Sequence, residues 1–257
     1  MRATQLELLY RRPSRGGARP GAGRRRLPAH ARHTPHRARP VHSAAHPVHV
    51  TLRAYSRSLR SQVISKTVLR ALRDSNSEHF RIAQYSVQEN HVHLIVEAKD
   101  KTTLSSSLRG LMVRVARRVN RLLSRRGRFW ADRWHGHALT RPREVRNALV
   151  YVLQNHKKHV QRARRGAEKG VAVLDPLSSA EWFGGFAEPF PRGFRSIGPP
   201  CIALARTWLL RVGWCRHGLI HFREAPMQTR SVESSAASQR KSRLRRKTVQ
   251  PTTTFGT

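Results

Sequence analysis

Acidic side chains are scarce. In 257 residues, 14 Asp and Glu stand against 51 Lys and Arg, a formal net charge of +37. A compact state so charged repels itself unless a polyanion or screening salt is at hand, so nucleic acid is the default partner. The few acids are scattered and form no cluster, which disfavours a three-carboxylate nuclease or transposase. Cysteine is rarer still: Cys201 and Cys215 make neither a metal-finger spacing nor a disulfide framework, which fits a reducing cytosol. No apolar run approaches the length of a membrane span, and the best candidate, around Trp208 to Trp214, is broken by charge at Arg206 and Arg211. The N-terminus lacks an apolar signal core, so secretion is not expected and the expected location is the cytoplasm. At 38% hydrophobic residues there is material for one modest domain, but not for a core running the whole length.

Four regions follow from composition. Residues 1–45 are rich in Arg, Pro, Gly and His without hydrophobic period, and read as a disordered basic arm. Within it, Gly16 to Arg26 looks a little like an AT-hook, with Ala18 where that motif's core glycine should stand. Residues 46–162 carry the periodic sequence of a folded domain, residues 163–225 a small helical appendage, and residues 226–257 a second disordered basic tail.

Inside the folded part the periods alternate. Val48 to Tyr55 (VHVTLRAY) reads as a strand, and Ser61 to Arg73 as a helix with Val63, Ile64, Val68, Leu69 and Leu72 on its stripe. Phe80 to Val87 and His91 to Ala98 form a hairpin across Gln88-Glu89-Asn90. Thr103 to Leu123 is the clearest amphipathic helix. Leu104, Leu108, Leu111, Met112, Val115, Val119, Leu122 and Leu123 oppose a face of Arg109, Arg114, Arg117, Arg118 and Arg121. Arg128 to Leu139 reads as a fourth strand. A last helix follows from Pro142 to Val160, with Thr140 near its cap. Shorter helices are expected near Trp182-Phe183 and over Thr207 to Val212. The expected fold is therefore α+β, a ferredoxin-like split βαβ: a four-stranded antiparallel sheet with helices on one face, plus a C-terminal tyrosine-bearing helix.

The chemistry concentrates in Asn90-His91-Val92-His93-Leu94. On a strand His91 and His93 point the same way, about 7 Å apart, close enough to ligate a single divalent ion. A second HxH pair, His135-Gly136-His137, lies in the fourth strand and is a candidate for the metal or for DNA, with Arg133 beside it. On the last helix Val145, Ala148, Leu149, Val152 and Leu153 form the apolar stripe. Tyr151 sits roughly 140° from its centre, among Asn147, Gln154, Asn155 and Lys158. A tyrosine placed there is available for chemistry, and Asn155, one turn on, shares its face.

In this order, the NHVHLIVE strand, the long helix, the WADRWHGHAL strand and the VRNALVYVLQNHKKH helix resemble the single-tyrosine HUH transposases, in particular the REP-associated tyrosine transposases. HUH denotes His, a bulky hydrophobic residue, His. The resemblance covers about residues 45–162 and implies that His91 and His93 bind magnesium or manganese. It implies that Tyr151 attacks a phosphodiester of single-stranded DNA. It further implies that a polar residue one turn on, here Asn155, supports the metal. Relatives often continue with Pro and a small apolar residue where this chain has His156-Lys157. The third ligand thus stays open among Asn155, Gln154 and His156, with Asn155 favoured by its i+4 spacing. The implied partner is single-stranded DNA with hairpin or palindromic ends, held by the arginines of the 103–123 helix, Arg133, His135, His137 and Lys158. A second copy of the chain is a further candidate partner. The competing reading is a non-catalytic module of the same fold that stacks bases on exposed aromatics, for which Tyr85, Trp130 and Trp134 are the candidates.

Overall fold

The computed structural model describes residues 41–55, 58–156, 174–224 and 226. Most of the expected arm 1–45, nearly all of the tail 226–257, and Lys158 lie outside these. Strand β1 (Val48–Arg53) is followed by helix α1 (Gln62–Arg73), strands β2 (Phe80–Val87) and β3 (His91–Ala98), helix α2 (Lys101–Leu122), strand β4 (His135–Ala138) and helix α3 (Pro142–Gln154). The strands form one sheet in the order β2-β3-β1-β4 with every pair antiparallel. This is the split βαβ arrangement: β3, which returns by the hairpin, lies between the two strands that α1 connects.

Alternation along the strands gives the sheet two different faces. Val48, Val50 and Leu52 of β1 join Val92, Leu94 and Val96 of β3 in a core with the apolar stripes of α1 and α2. In α2, Leu104, Leu108, Leu111, Val115 and Val119 are buried, each worth about 1.5–3 kcal/mol of transfer free energy. The stripes end sooner than their periods predict: Val63 of α1 is 57% exposed, and Leu122 and Leu123 at the end of α2 are 42% and 44% exposed. The opposite face is covered by α3. Its Val145, Leu149 and Val152 pack with Ala83 and Ile95 of the sheet, which explains why β2 and β3 are buried along almost their whole length.

The fourth strand is much shorter than the expected Arg128 to Leu139. Trp130 makes an isolated bridge to Ala54, and its indole Nε1 donates to Met112 O of α2 at 2.8 Å. The chain then turns at Asp132, whose carboxylate accepts from Arg133 N at 2.8 Å, and pairing resumes only at His135. Helix α3 starts as its sequence suggests. Pro142 occupies the first turn, and Glu144 accepts from Thr140 N at 2.8 Å and Arg141 N at 3.3 Å.

Residues 174–224 wrap the sheet at three points. Along the outer edge of β2, Val87 N donates to Leu177 O, Ser179 N to Tyr85 O and Ala203 N to Ile82 O. On the α3 side, the buried carboxylate of Glu97, at the end of β3, accepts from Arg206 N, Thr207 N and Thr207 Oγ1 at 2.7–2.8 Å. Arg146 of α3 donates to both Glu224 carboxylate oxygens at 2.9 and 2.7 Å and to the carbonyls of Gly218 and Leu219. These contacts seat a short helix (Trp208–Arg211) and a 3₁₀ turn (Gly213–His217) against α3. Among the described residues no helix is long and apolar enough to cross a membrane.

Glu97→Ala leaves two backbone N–H groups without their acceptor. The expected cost is about 1.5–3 kcal/mol, read as a lower urea midpoint with faster amide exchange at residues 206 and 207. Burial alone would raise the Glu224 carboxyl, but the Arg146 hydrogen bonds and the His221 N–H outweigh it and hold it below the ordinary 4.5. A depressed carboxylate stabilises the fold above its ordinary value and loses that contribution as pH falls through the lower folded value. Acidification below about pH 4.5 should therefore loosen residues 218–224 before the sheet melts, measured by amide exchange as a function of pH.

Candidate active site

The sheet register assembles the site. Thr51 of β1 pairs with His93 on one side and His135 on the other, while His49 pairs with Ile95 and His137. Paired residues share a face, so His49, His91, His93, His135 and His137 all project from the face that α3 covers. His91 and His93 lie with ring centroids 4.6 Å apart and planes at 82°. The second HxH pair is on the same face but two strands away, about 10 Å to the side.

Gly136 between these histidines is there for packing. It pairs with Val50 and faces the α2 core. A Cβ at this position would stand 2.6 Å from Cζ3 of Trp134 and 3.2 Å from Cγ1 of Val48. Only a bare backbone lets the Trp134 ring close the end of the sheet at this point.

Helix α3 brings Tyr151 down onto the histidines. Its ring centroid is 4.9 Å from that of His93 and 5.5 Å from that of His49, in edge-on geometry. Thr51, His49, Tyr151, His135 and His137 line a cleft of about 710 Å³, with Arg143 and Asn147 of α3 on one wall and His217 on another. Beneath it, His93 Nδ1 lies 3.2 Å from Thr51 Oγ1 and 3.3 Å from His49 Nε2. His91 Nδ1 is 2.7 Å from Asn90 Oδ1. Since a carboxamide oxygen only accepts, His91 donates from Nδ1.

Burial, followed by the neighbouring imidazoles of His137 and His135, lowers the His49 pKa to about 4, so this ring is neutral at pH 7. Burial also raises the Tyr151 hydroxyl above the ordinary tyrosine value. The site therefore holds a protonated phenol beside the neutral imidazole of His49.

Not every expected residue is in this cleft. Asn155 follows the last turn of α3 and is 2% exposed. Gln154 turns elsewhere, its Nε2 donating to His221 O at 2.8 Å. Among the described residues no group of three or more His, Cys, Asp and Glu side chains is arranged to hold a metal ion. The α2 arginines lie in the other layer, with the sheet between them and the histidines. Arg114, Arg117, Arg118 and Arg121 line a groove of about 360 Å³. There Arg118 pairs with Asp74 at 2.7 Å, and Arg114 donates to Ser75 Oγ. Arg109 and Arg133 line a second groove, with Trp130 and Trp134. The aromatics proposed for base stacking are all buried: Tyr85 at 0%, Trp130 at 7% and Trp134 at 6% exposure. That removes the basis for reading the sheet as a stacking surface, because these rings fill the core instead.

His49, Thr51, Arg143 and His217 are site residues that sequence reasoning missed. His49 and Thr51 share a face by simple alternation in VHVTLR, but their approach to His93 depends on the β1–β3 register, which no single strand encodes.

Residues 43–155 match the family model of the transposases described as IS200-like. Among solved structures, that of a REP-associated tyrosine transposase bound to a REP hairpin is similar to this chain at 20% identity. The match covers 64% of this chain and 100% of that one, with a TM-score of 0.43. No curated protein matches. The matched residues 43–155 contain the whole sheet, both histidine pairs and Tyr151, and over them the chain is similar to the IS200-like transposases.

Proposed function

We propose that this transposase cleaves and rejoins single-stranded DNA through a covalent 5′-phosphotyrosine on Tyr151. The observation that carries the reading is the packing of the Tyr151 ring edge-on to His93, 4.9 Å away, with Tyr151 lining an open cleft. Tyr151 Oη attacks the phosphorus of the scissile phosphodiester. A bond forms from Oη to phosphorus, the bond to the 3′ oxygen breaks, the phenol gives up its proton, and the 3′ oxygen takes one up to leave as a hydroxyl. Rejoining reverses the exchange, a 3′-hydroxyl displacing Tyr151 from the phosphate.

The donor chemistry of the site fits magnesium or manganese. His91 has its Nδ1 tied to Asn90, and His93 has its Nδ1 beside Thr51 and His49. These are the outer contacts that fix the ring orientation of a metal-bound imidazole and direct Nε2 to the ion. Gln154 Nε2 donates to His221 O, and Asn155, favoured over His156 by its i+4 spacing from Tyr151, is the third donor in this reading. His91, His93 and Asn155 would hold the divalent ion, which would supply positive charge to polarise the scissile phosphate and stabilise the departing 3′ oxygen. His135, His137, Arg143 and Asn147 bind the strand along the cleft walls. Arg109, Arg114, Arg117, Arg118, Arg121 and Arg133 serve DNA on the α2 side, where duplex next to the unpaired strand can lie.

Incubation of the full chain with labelled single-stranded DNA spanning its own gene's flanking palindromes, in manganese, should give a covalent protein–DNA band on denaturing gels. Tyr151→Phe should abolish that band, as should chelation of the metal, and His91→Ala should do the same without loss of fold. Thr51→Ala should weaken apparent metal affinity by about 10- to 100-fold while leaving Tyr151 competent at saturating metal. Tight DNA binding with no adduct in any metal would instead mark a binding module that has kept the fold.

A further inference from the structure

Residues 204–223, outside the matched transposase segment, carry an aromatic that the core does not use. Trp208 is 49% exposed, whereas its neighbours Leu209 and Leu210 are each 7% exposed and Trp214 is 4% exposed. The ring is nevertheless held in place. Gly213 lies against it so closely that a Cβ there would stand 2.6 Å from Cζ3 and 2.9 Å from Cε3 of the indole. Arg216, from the same 3₁₀ turn, places its guanidinium 4.8 Å from the ring centroid. An indole fixed in orientation and still half in water is a preformed contact surface.

Its position connects it with the cleft. The backbone just before Trp208 hangs from Glu97, which shares the histidine face of β3 and lies four residues, about 13 Å, beyond His93. His217, next in the chain after Arg216, lines the Tyr151 cleft. The segment itself is basic: from Leu204 to Arg223 the chain has Arg206, Arg211, Arg216 and Arg223 and no acid. Four arginines in the segment that carries an immobilised aromatic suit a polyanion with flat, apolar bases.

We propose that Trp208, backed by Arg216, is a stacking platform for an unpaired base of single-stranded DNA running out of the Tyr151 cleft. The choice of cleft occupant rests on the function proposed above, but the platform's affinity for single strands does not. Every base has a π-face, so the platform raises affinity for unpaired DNA without reading its sequence, and it gives no advantage for duplex, whose bases are stacked on one another.

The test is binding of the full-length chain to fluorescein-labelled oligothymidylate and to a duplex of equal length. Trp208→Ala should weaken single-strand binding by about tenfold with little change for the duplex, and Trp208→Phe should retain most of the affinity. In the unaltered chain, oligonucleotide carrying 5-iododeoxyuridine should photocross-link to Trp208, as located by mass spectrometry. Equal losses on single strand and duplex overturn the proposal, as does a cross-link that maps only elsewhere. Absence of the Tyr151 adduct together with a single-strand-specific Trp208 effect would sink the cleavage chemistry and leave the platform standing. A normal adduct with no Trp208 effect would do the reverse.

Discussion

The register of β1 against β3 is the constraint on which the site depends. Thr51 opposite His93 puts a hydroxyl and, one pair along, the His49 imidazole beside Nδ1 of His93. A slip of one residue would turn Thr51 and His49 into the α2 core and bring Val50 to the histidines. The register is secured on its other face, where Val48, Val50 and Leu52 interlock with Val92, Leu94 and Val96. Apolar packing on one side of the sheet thus fixes polar geometry on the other, and α3 completes the site by carrying both the apolar stripe that docks it and the tyrosine that stripe aims.

This division of labour also separates two kinds of basic surface. The cleft face holds few cations, chiefly Arg143 and Arg146, and Arg146 is committed to Glu224 and two carbonyls. The α2 face holds the arginine row, part of which braces the end of α1 through Asp74 and Ser75. Among the described residues the cations therefore lie around the cleft more than within it. That suits a centre that handles one phosphate at a time while the rest of the polyanion is held nearby.

Much of this was legible in the sequence because it is local. The hairpin bounds of β2 and β3 follow from alternation and a polar turn, and the displacement of Tyr151 from the α3 stripe follows from helical geometry. The features that were not legible depend on chain segments far apart. Asp132 breaks the fourth strand by capping its own successor, a turn that competes with a strong β pattern. Trp130 and Trp134 look like exposed strand aromatics until α2 is placed over them. The partnership of His49 with His93 needs the cross-strand pairing, and the commitment of Glu97 to Arg206 and Thr207 spans more than a hundred residues.

The capping of β2 has a consequence for how this sheet can grow. Residues 177, 179 and 203 already satisfy backbone groups along its outer side, so an added strand finds no template there. Among the described residues no strand lies beyond β4, the other margin, and that margin is His135–Ala138, the wall of the cleft itself. Extension of the sheet and occupancy of the cleft therefore contend for the same four residues, and among the described residues the wrapping of the C-terminal segment around β2 leaves the sheet one expandable side, the side that walls the cleft.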